Sequence, residues 1–435
     1  MQPTSDHIIP DPRTLPSYGQ ENLNVALEKH DMFLKGKMGG ARAVLQYQNL
    51  SGLTFHNRDL SQADFTGSIF DYADLSNGIY KNVIFFGCSF HNADLSDADF
   101  SRADLRGVVF SGANMEGIDL SGADLRAGKI MARNEKGFLE NLDRGVENET
   151  ETVLTGARLK NAKLDNIRAG NAIFKDSDLS GASTKDAQLK GAQFEGANLS
   201  NTDFSGSNIS HTNMRSAVLS GVIMDGAEHY KMETEGAISD DDMGKVIEEI
   251  EQTLPELLEA HSLWIKTAGK EGAQLDLSQY NLSRARNLRR FPLTAIRATN
   301  STFIGQDLNN AQMQSCVFDG SDFRDCILIS ADLRGTSFIN AKFMRADLSG
   351  ANLTALSFKN RDKLQQVNLS GANFSYANLS NADLRDAILM GANLTNVNLS
   401  GANLGRADLS NAILKGVNLS GANLDGAIID FSAMD

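Results

Sequence analysis

Cys88-Ser89-Phe90-His91-Asn92-Ala93-Asp94-Leu95-Ser96-Asp97-Ala98-Asp99-Phe100-Ser101-Arg102-Ala103-Asp104-Leu105-Arg106-Gly107 decides how this chain folds. A large apolar residue returns at every fifth position (Phe90, Leu95, Phe100, Leu105), and the residue two places before each is small. Outward from this stretch the spacing holds from Leu50 to Ile130, 17 centres in succession. It resumes from Leu154 to Met224, broken in size only at Ala169 and Thr184, then runs from Phe303 to Phe358 and from Leu364 to Ile429. Of 58 centres, 56 are large and apolar.

A period of five matches neither a helix at 3.6 nor a strand at 2. Two inward positions per five, set among Gly and polar residues, describe a chain that turns a corner in every repeat. Four corners close a square coil of about 20 residues, and successive coils stack at the inter-strand spacing of about 4.8 Å. The centre and the small residue point inward, and the other three face water. Burying a large centre contributes about 2 kcal/mol gross. A coil buries its core only against its neighbours, so each end of the stack needs a cover.

The unit Ala93-Asp94-Leu95-Ser96-Asp97, repeated as Ala402-Asn403-Leu404-Gly405-Arg406, resembles the pentapeptide-repeat family. The resemblance implies an all-β solenoid of right-handed quadrilateral β-helices. It says little about function, which depends on what the tower carries.

Two such towers are expected in tandem, each with an N-terminal α-helical cap. Leu23, Leu27, His30, Phe33, Leu34 and Lys35 match Leu254, Leu258, His261, Trp264, Ile265 and Lys266, and Gly40, Ala41, Leu45, Asn49 and Leu50 match Gly272, Ala273, Leu277, Asn281 and Leu282. His30 and His261 are expected to make the same structural hydrogen bond, and Phe33 and Trp264 to lie over the first coils. Thr253 to Glu256 spells a capping box, with Pro255 in the first turn. Helices are expected near 22–35, 240–252 and 254–267. The division reads as an N-terminal segment with its cap helix (1–40), a first β-helix (41–230) with a loop insert (131–152), an acidic helical linker with the second cap (231–272), and a second β-helix (273–435).

The spacing is interrupted three times. Between Ile130 and Leu154 about 19 residues are extra, and Asn134–Leu142 reads as a short helix. Leu282 to Leu288 and Phe358 to Leu364 each carry one extra residue, read as bulges, and both are rich in Arg or Lys.

The formal net charge is -14. Residues 51–130 and 231–270 contribute -5 and -6, and residues 271–435 are neutral. No basic stripe suits direct binding of nucleic acid, and no apolar run reaches the length of a membrane span. The polar start of the chain shows no signal peptide, so a cytoplasmic location is expected. Cys88, Cys316 and Cys326 stand at the small inward position and read as buried thiols, not metal ligands. No P-loop, dinucleotide fingerprint or HExxH motif occurs, so neither catalysis nor a cofactor is expected.

The expected function is a non-catalytic scaffold whose rigid faces and projecting loop bind protein partners. Candidate contact residues are Phe138, Leu139 and Leu142 on the insert, and the outward apolar residues Ile84, Phe86, Ile388, Met390 and Ile428. The last coil has little chain left to cover it, so Leu424, Ile429, Phe431 and Met434 are expected to form a homodimer edge, the alternative being that Phe431 folds back and plugs the tower alone. The family resemblance implies an alternative. Some members are acidic DNA mimics that act on DNA gyrase, and this chain shares the tower, a loop and net acidity. It departs from them in having two fused modules, a neutral second module and no C-terminal dimerising helix.

Overall fold

A computed structural model describes residues 18–129, 131–133, 139–141, 151–239, 245–246, 253–283, 285, 288–290, 292–357 and 364–430. The chain separates into two compact units, Met1–Asp240 and Asp241–Asp435. In the first, parallel bridges, most of them twenty residues apart, run from Val44↔Asp64 to Val218↔Ile238. In the second they run from Asp276↔Arg297 to Asp408↔Ile428. Each unit is a parallel β-helix with four ladders, one per side of the coil.

The hydrogen bonds explain the repeat. Each ladder residue turns both backbone groups to the coil before it, as Asp64 donates to Ala43 O and accepts from Leu45 N. The centre and the residue two places after it donate to the following coil, as in Leu45 N–H to Asp64 O and Tyr47 N–H to Thr66 O. The corner closes through the small residue, as Ala63 N–H donates to Leu60 O at 3.0 Å. The residue two after the centre has φ near +60°, which is why Asn, Asp and Gly crowd that position. Inside, aromatic centres stack along the axis, with Phe70 and Phe90 4.8 Å apart and Phe303 and Phe323 4.5 Å apart. Several polar residues at the small position donate to the carbonyl of a centre in the coil below: Ser68 to Leu45 O, Thr336 to Met313 O, Cys88 to Phe65 O. Burial pushes the Cys316 thiol up to about 12 and that of Cys326 above its ordinary range.

The ladders correct several expectations. Leu125 is followed at the next corner by Leu154, because Val109 pairs with Val153 and Asp124 with Arg168. The excursion is therefore 24 residues long, and Leu154 takes the corner that the spacing assigns to Ile130. Met131–Arg133 (β1) and Leu139–Asn141 (β2) pair antiparallel with Met131 opposite Asn141, so residues 139–141, expected in a short helix, form a strand; the rest of that expected helix lies outside the described residues. In the second unit Ser337 pairs with Asn368 and Asn352 with Asp383, so the step after Leu353 is an eleven-residue excursion, not a one-residue bulge. An antiparallel Leu356↔Gln365 bridge closes its base, and Leu364 is 60% exposed. The bulge after Leu282 is present as a 21-residue coil with a 3-10 turn at Leu288–Arg290.

The first tower runs eight residues past 230, through polar centres His229 and Thr234 that the apolar count misses. Lys245–Val246 (β3), expected in a helix, pairs in parallel with Tyr280–Asn281 (β4) and so adds a strand to the N-terminal edge of the second tower. Tyr18 N–H donates to Asn49 O, the equivalent place in the first unit.

Helix α1 (Gln20–Leu34) buries Leu23, Leu27 and His30, and helix α2 (Leu254–Lys266) buries Leu258 and His261. Leu23, Leu27 and Leu258 join the cores of their own towers. Phe33 does not; it is 37% exposed, and Trp264 is half-buried against His261 and the Gly269–Gly272 turn. The contact falls one turn earlier on each helix than expected, on the Leu and His residues. Glu256 Oε2 accepts the Thr253 N–H at 2.9 Å and closes the start of α2.

Helix and tower meet at a glycine. A Cβ on Gly40 would overlap the backbone at Met32 and Phe33, and one on Gly272 would overlap Ala260 O and stand 2.7 Å from Trp264 N. Gly272 also has φ +78°. Gly272→Ala is expected to destabilise the second unit by about 2–5 kcal/mol and Gly40→Ala the first by about 1–3, since only the former adds backbone strain to overlap. Denaturant titrations of the two variants check this, with Trp264 fluorescence following the second unit.

Candidate interaction site at the excursions

Where the outward ladder residue is Asp or Asn, its side chain can cap its own corner. Oδ1 of Asp74, Asp94, Asp99 and Asp119 accepts the N–H two residues on, at 2.9–3.0 Å, from Ser76, Ser96, Ser101 and Ser121. Asn does the same: Asn368, Asn378 and Asn398 accept from Ser370, Ser380 and Ser400. The cap takes one oxygen, which Asp and Asn supply alike, so it does not require a charge.

Beneath the first excursion that charge is paired. Arg106 reaches Asp104 at 2.6 Å, Arg126 reaches Asp124 at 2.8 Å, and Arg168 reaches Asp124 at 2.9 Å. Burial opposes ionisation of Asp124, but hydrogen bonds from Arg126 and the Arg168 charge hold its carboxyl below the usual range. The Arg106 guanidinium lies 5.1 Å from the centre of the Phe86 ring, a cation–π contact. The excursion leaves across this platform. A methyl on Gly128 would stand 2.6 Å from the Phe86 ring, and one on Gly107 (φ +64°) would stand 2.5 Å from Gly128 O. Thr152 closes the return, accepting Gly107 N–H at 3.0 Å and donating to Leu105 O at 3.1 Å.

The second excursion has the same root. Arg334 pairs with Asp332 at 2.7 Å, and a methyl on Gly335 (φ +66°) would stand 2.9 Å from Leu356 Cβ. Gln365 Nε2 donates to Gly335 O at 2.5 Å. Ala103-Asp104-Leu105-Arg106-Gly107 and Ala331-Asp332-Leu333-Arg334-Gly335 are identical, and each lies one coil below its excursion. These residues were missed as a site; the repeated five-letter word is the signal that finds them.

The expected contact residues divide as follows. Ile84 and Phe86 are half-buried, and Phe86 belongs to the first root. Leu139 is in β2, and Phe138 and Leu142 lie outside the described residues. Ile388 and Ile428 share one ladder with Asp408 between them, half-buried and 58% exposed respectively, and Met390 is 45% exposed. Leu424 and Ile429 are half-buried against the second core, and Phe431 and Met434 lie outside the described residues. Among the described residues no group of three or more His, Cys, Asp or Glu is placed to hold a metal ion, and no helix is long and apolar enough to cross a membrane.

The family model for pentapeptide repeats matches eight copies, over residues 43–78, 88–126, 152–183, 185–226, 328–360, 363–391 and 392–430, more than half of the chain. The chain belongs to the pentapeptide-repeat family. Members of this family form right-handed β-helices. The match omits the first coils of the second unit, which the ladder includes from Asp276 onward. Among solved pentapeptide-repeat structures, QnrB1, a plasmid-mediated fluoroquinolone resistance protein, is 18% identical, with 54% of this chain and 94% of that chain covered and a TM-score of 0.29. HetL from the cyanobacterium Nostoc sp., involved in heterocyst differentiation regulation, is 17% identical, with 92% of each chain covered and a TM-score of 0.16. Rfr23 from the cyanobacterium Cyanothece is 26% identical over 30% of this chain and 91% of that chain, with a TM-score of 0.17. No curated protein matches the chain.

Proposed function

We propose that this pentapeptide-repeat protein is a non-catalytic scaffold, each tower presenting rigid faces and one excursion to a protein partner. The observation that carries the reading is the shared Asp-Leu-Arg-Gly root. A regular coil needs no excursion, yet both units spend a paired Asp–Arg and a left-handed glycine on supporting one. The platform is rigid and the excursion is anchored at both ends, which limits the ordering cost of binding. The outward apolar residues Ile388, Met390 and Ile428 extend the contact surface in the second unit, and Leu424 and Ile429 offer a self-association edge, tested by sedimentation of Leu424→Asp.

The test is affinity capture by the full chain, by a variant lacking Gly128–Glu151 and by one lacking Leu356–Gln366, followed by mass spectrometry. A partner retained by the full chain and lost from one deletion supports the reading. Identical recovery by all three chains overturns it.

A second reading, an acidic DNA mimic acting on DNA gyrase or topoisomerase, draws on one observation. Asp74, Asp94, Asp99 and Asp119 stand where Asn would cap the corner equally well; Asp99 and Asp119 are ion-paired with Lys81 and Lys163, so the charge that the cap does not use is chiefly that of Asp74 and Asp94. A gyrase supercoiling assay with micromolar protein, and with these four changed to Asn, tests it; no effect on supercoiling removes it.

A further inference from the structure

Each cap helix carries one fully buried histidine, and both hold the first strand of their tower in the same way. His30 Nδ1 accepts the Ala43 N–H at 3.0 Å, and His261 Nδ1 accepts the Leu275 N–H at 3.0 Å. An Nδ1 that accepts leaves the ring proton on Nε2. In the second unit Nε2 meets the Thr294 carbonyl at 2.8 Å. In the first, Nε2 has no hydrogen-bond partner of good geometry among the described residues, although the Ser61 backbone lies close enough to favour the charged ring.

We propose that these histidines are paired pH-sensitive latches: protonation at Nδ1 sets N–H against N–H and releases each cap helix from the N-terminal edge of its tower. The proton comes from solvent and occupies the lone pair that had accepted the backbone N–H. No acceptor is supplied in exchange, so the Ala43 and Leu275 amides lose their partner while the imidazolium loses its solvation. Around His30 the charged groups are Asp31 on its own helix, and Arg42 and Asp59 from the coil. Burial outweighs the two carboxylates and, aided by Arg42, holds the His30 pKa below the ordinary value. His261 is bounded by the Trp264 ring, stacked at 5.8 Å, the Leu275 amide and the Thr294 carbonyl.

The sign follows. At His30 the docked state prefers the neutral ring, so the undocked first cap binds more protons. Docking is at full strength above the ordinary histidine pKa of about 6.5 and weakens as pH falls below it. The device lies away from the excursions and does not depend on which partner they bind.

Hydrogen exchange of the full chain at pH 7.5 and 5.0, corrected for intrinsic rates, reads the latches. Protection of helices α1 and α2 and of the Ala43 and Leu275 amides should fall, by up to about thirty-fold, because pH 5.0 lies about 1.5 units below the ordinary pKa. The core amides of Phe85 to Leu105 should not change. His30→Gln and His261→Gln, which can accept the amide without titrating, should each abolish the pH response in their own unit only. Imidazole nitrogen shifts of the unmodified chain give a readout that needs no variant: the His30 ring should stay in the Nε2–H form as the pH falls past the ordinary histidine value. Cap protection that is equal at the two pH values, or rings that titrate at 6.5 or above with the amides still protected, would overturn the proposal.

Discussion

Removal of Gly128–Glu151 should leave the first unit as stable as it is in the full chain. The cut joins Ala127 to Thr152, so that Leu125-Arg126-Ala127-Thr152-Val153-Leu154 becomes an ordinary five-residue step between centres. Leu154 already stands where the next corner requires it, since Phe110 N–H donates to Val153 O at 2.7 Å. The melting temperature should stay within about 3 °C, the shift expected for roughly 1 kcal/mol in a unit of this size. A cut two residues longer, through Val153, leaves three residues for a side that needs five. It removes a ladder residue and turns the following inward positions outward. The coils from Leu154 onward then lose register with those below, and the first unit should melt more than about 10 °C lower or in two steps. Circular dichroism melts of the two deletions decide the matter. If both behave alike, the ladder assignment across the excursion is wrong.

Asp322→Ala should cost the second unit about 3–5 kcal/mol, the penalty for leaving a buried charge without its counter-ion. Arg324 follows the centre Phe323 and faces outward, yet it is 1% exposed, and Asp322 is 5% exposed. The pair is bidentate, with Nε to Oδ1 at 2.9 Å and Nη2 to Oδ2 at 2.6 Å, and Oδ1 also accepts the Arg324 backbone N–H at 3.2 Å. Burial opposes the carboxylate, but the Arg324 charge and hydrogen bonds win and hold it below its usual range. Its contribution is therefore full above about pH 3.9 and fades as the pH falls below that value. Asp322→Asn keeps the backbone acceptor and should cost less than Ala, and changing both residues to Ala should recover part of the loss. Trp264, the only tryptophan, reports the second unit in a denaturant titration. A loss below about 1 kcal/mol for Asp322→Ala would show the pair to be hydrated rather than enclosed.

The tower was legible because its inward positions are spaced by covalent geometry, and few apolar residues break the count. The same count fails where a chain leaves the ladder. Ile130, Phe358 and Leu364 continue the spacing or nearly so, and only the bridge partners show that the ladder takes Leu154 and Leu369 at those corners. His229 and Thr234 fail the other way, as polar residues at a corner of the last, half-covered coil of the first tower. Equivalence between the cap helices was readable from the shared Leu, His and Gly residues. Which of their residues meet the coil was not, because an aromatic at the end of a helix packs equally well on its own turn, as Trp264 does on His261. Two-residue β3 carries no pattern at all. The roots of the excursions were hidden in plain view, since Asp, Arg and Gly are each common in the repeat and only their joint recurrence marks them.

The bond pattern of the coils gives each tower a direction, as in a filament with unlike ends. Every repeat passes two N–H groups and one carbonyl forward, as Leu379 and Asn381 donate to Asn398 and Ser400 while Ala377 accepts from Asn398. A leading end is therefore rich in donors and a trailing end rich in acceptors. Two leading ends brought together by a two-fold axis set donors against donors, so any pairing there rests on side chains such as Leu424 and Ile429, not on a continued sheet. Only leading against trailing would match bond for bond, and that contact, once begun, has no natural stop. The cap helices and the added strand β3 occupy the trailing ends and act as chain terminators, so the register that builds a tower does not propagate from one molecule to the next.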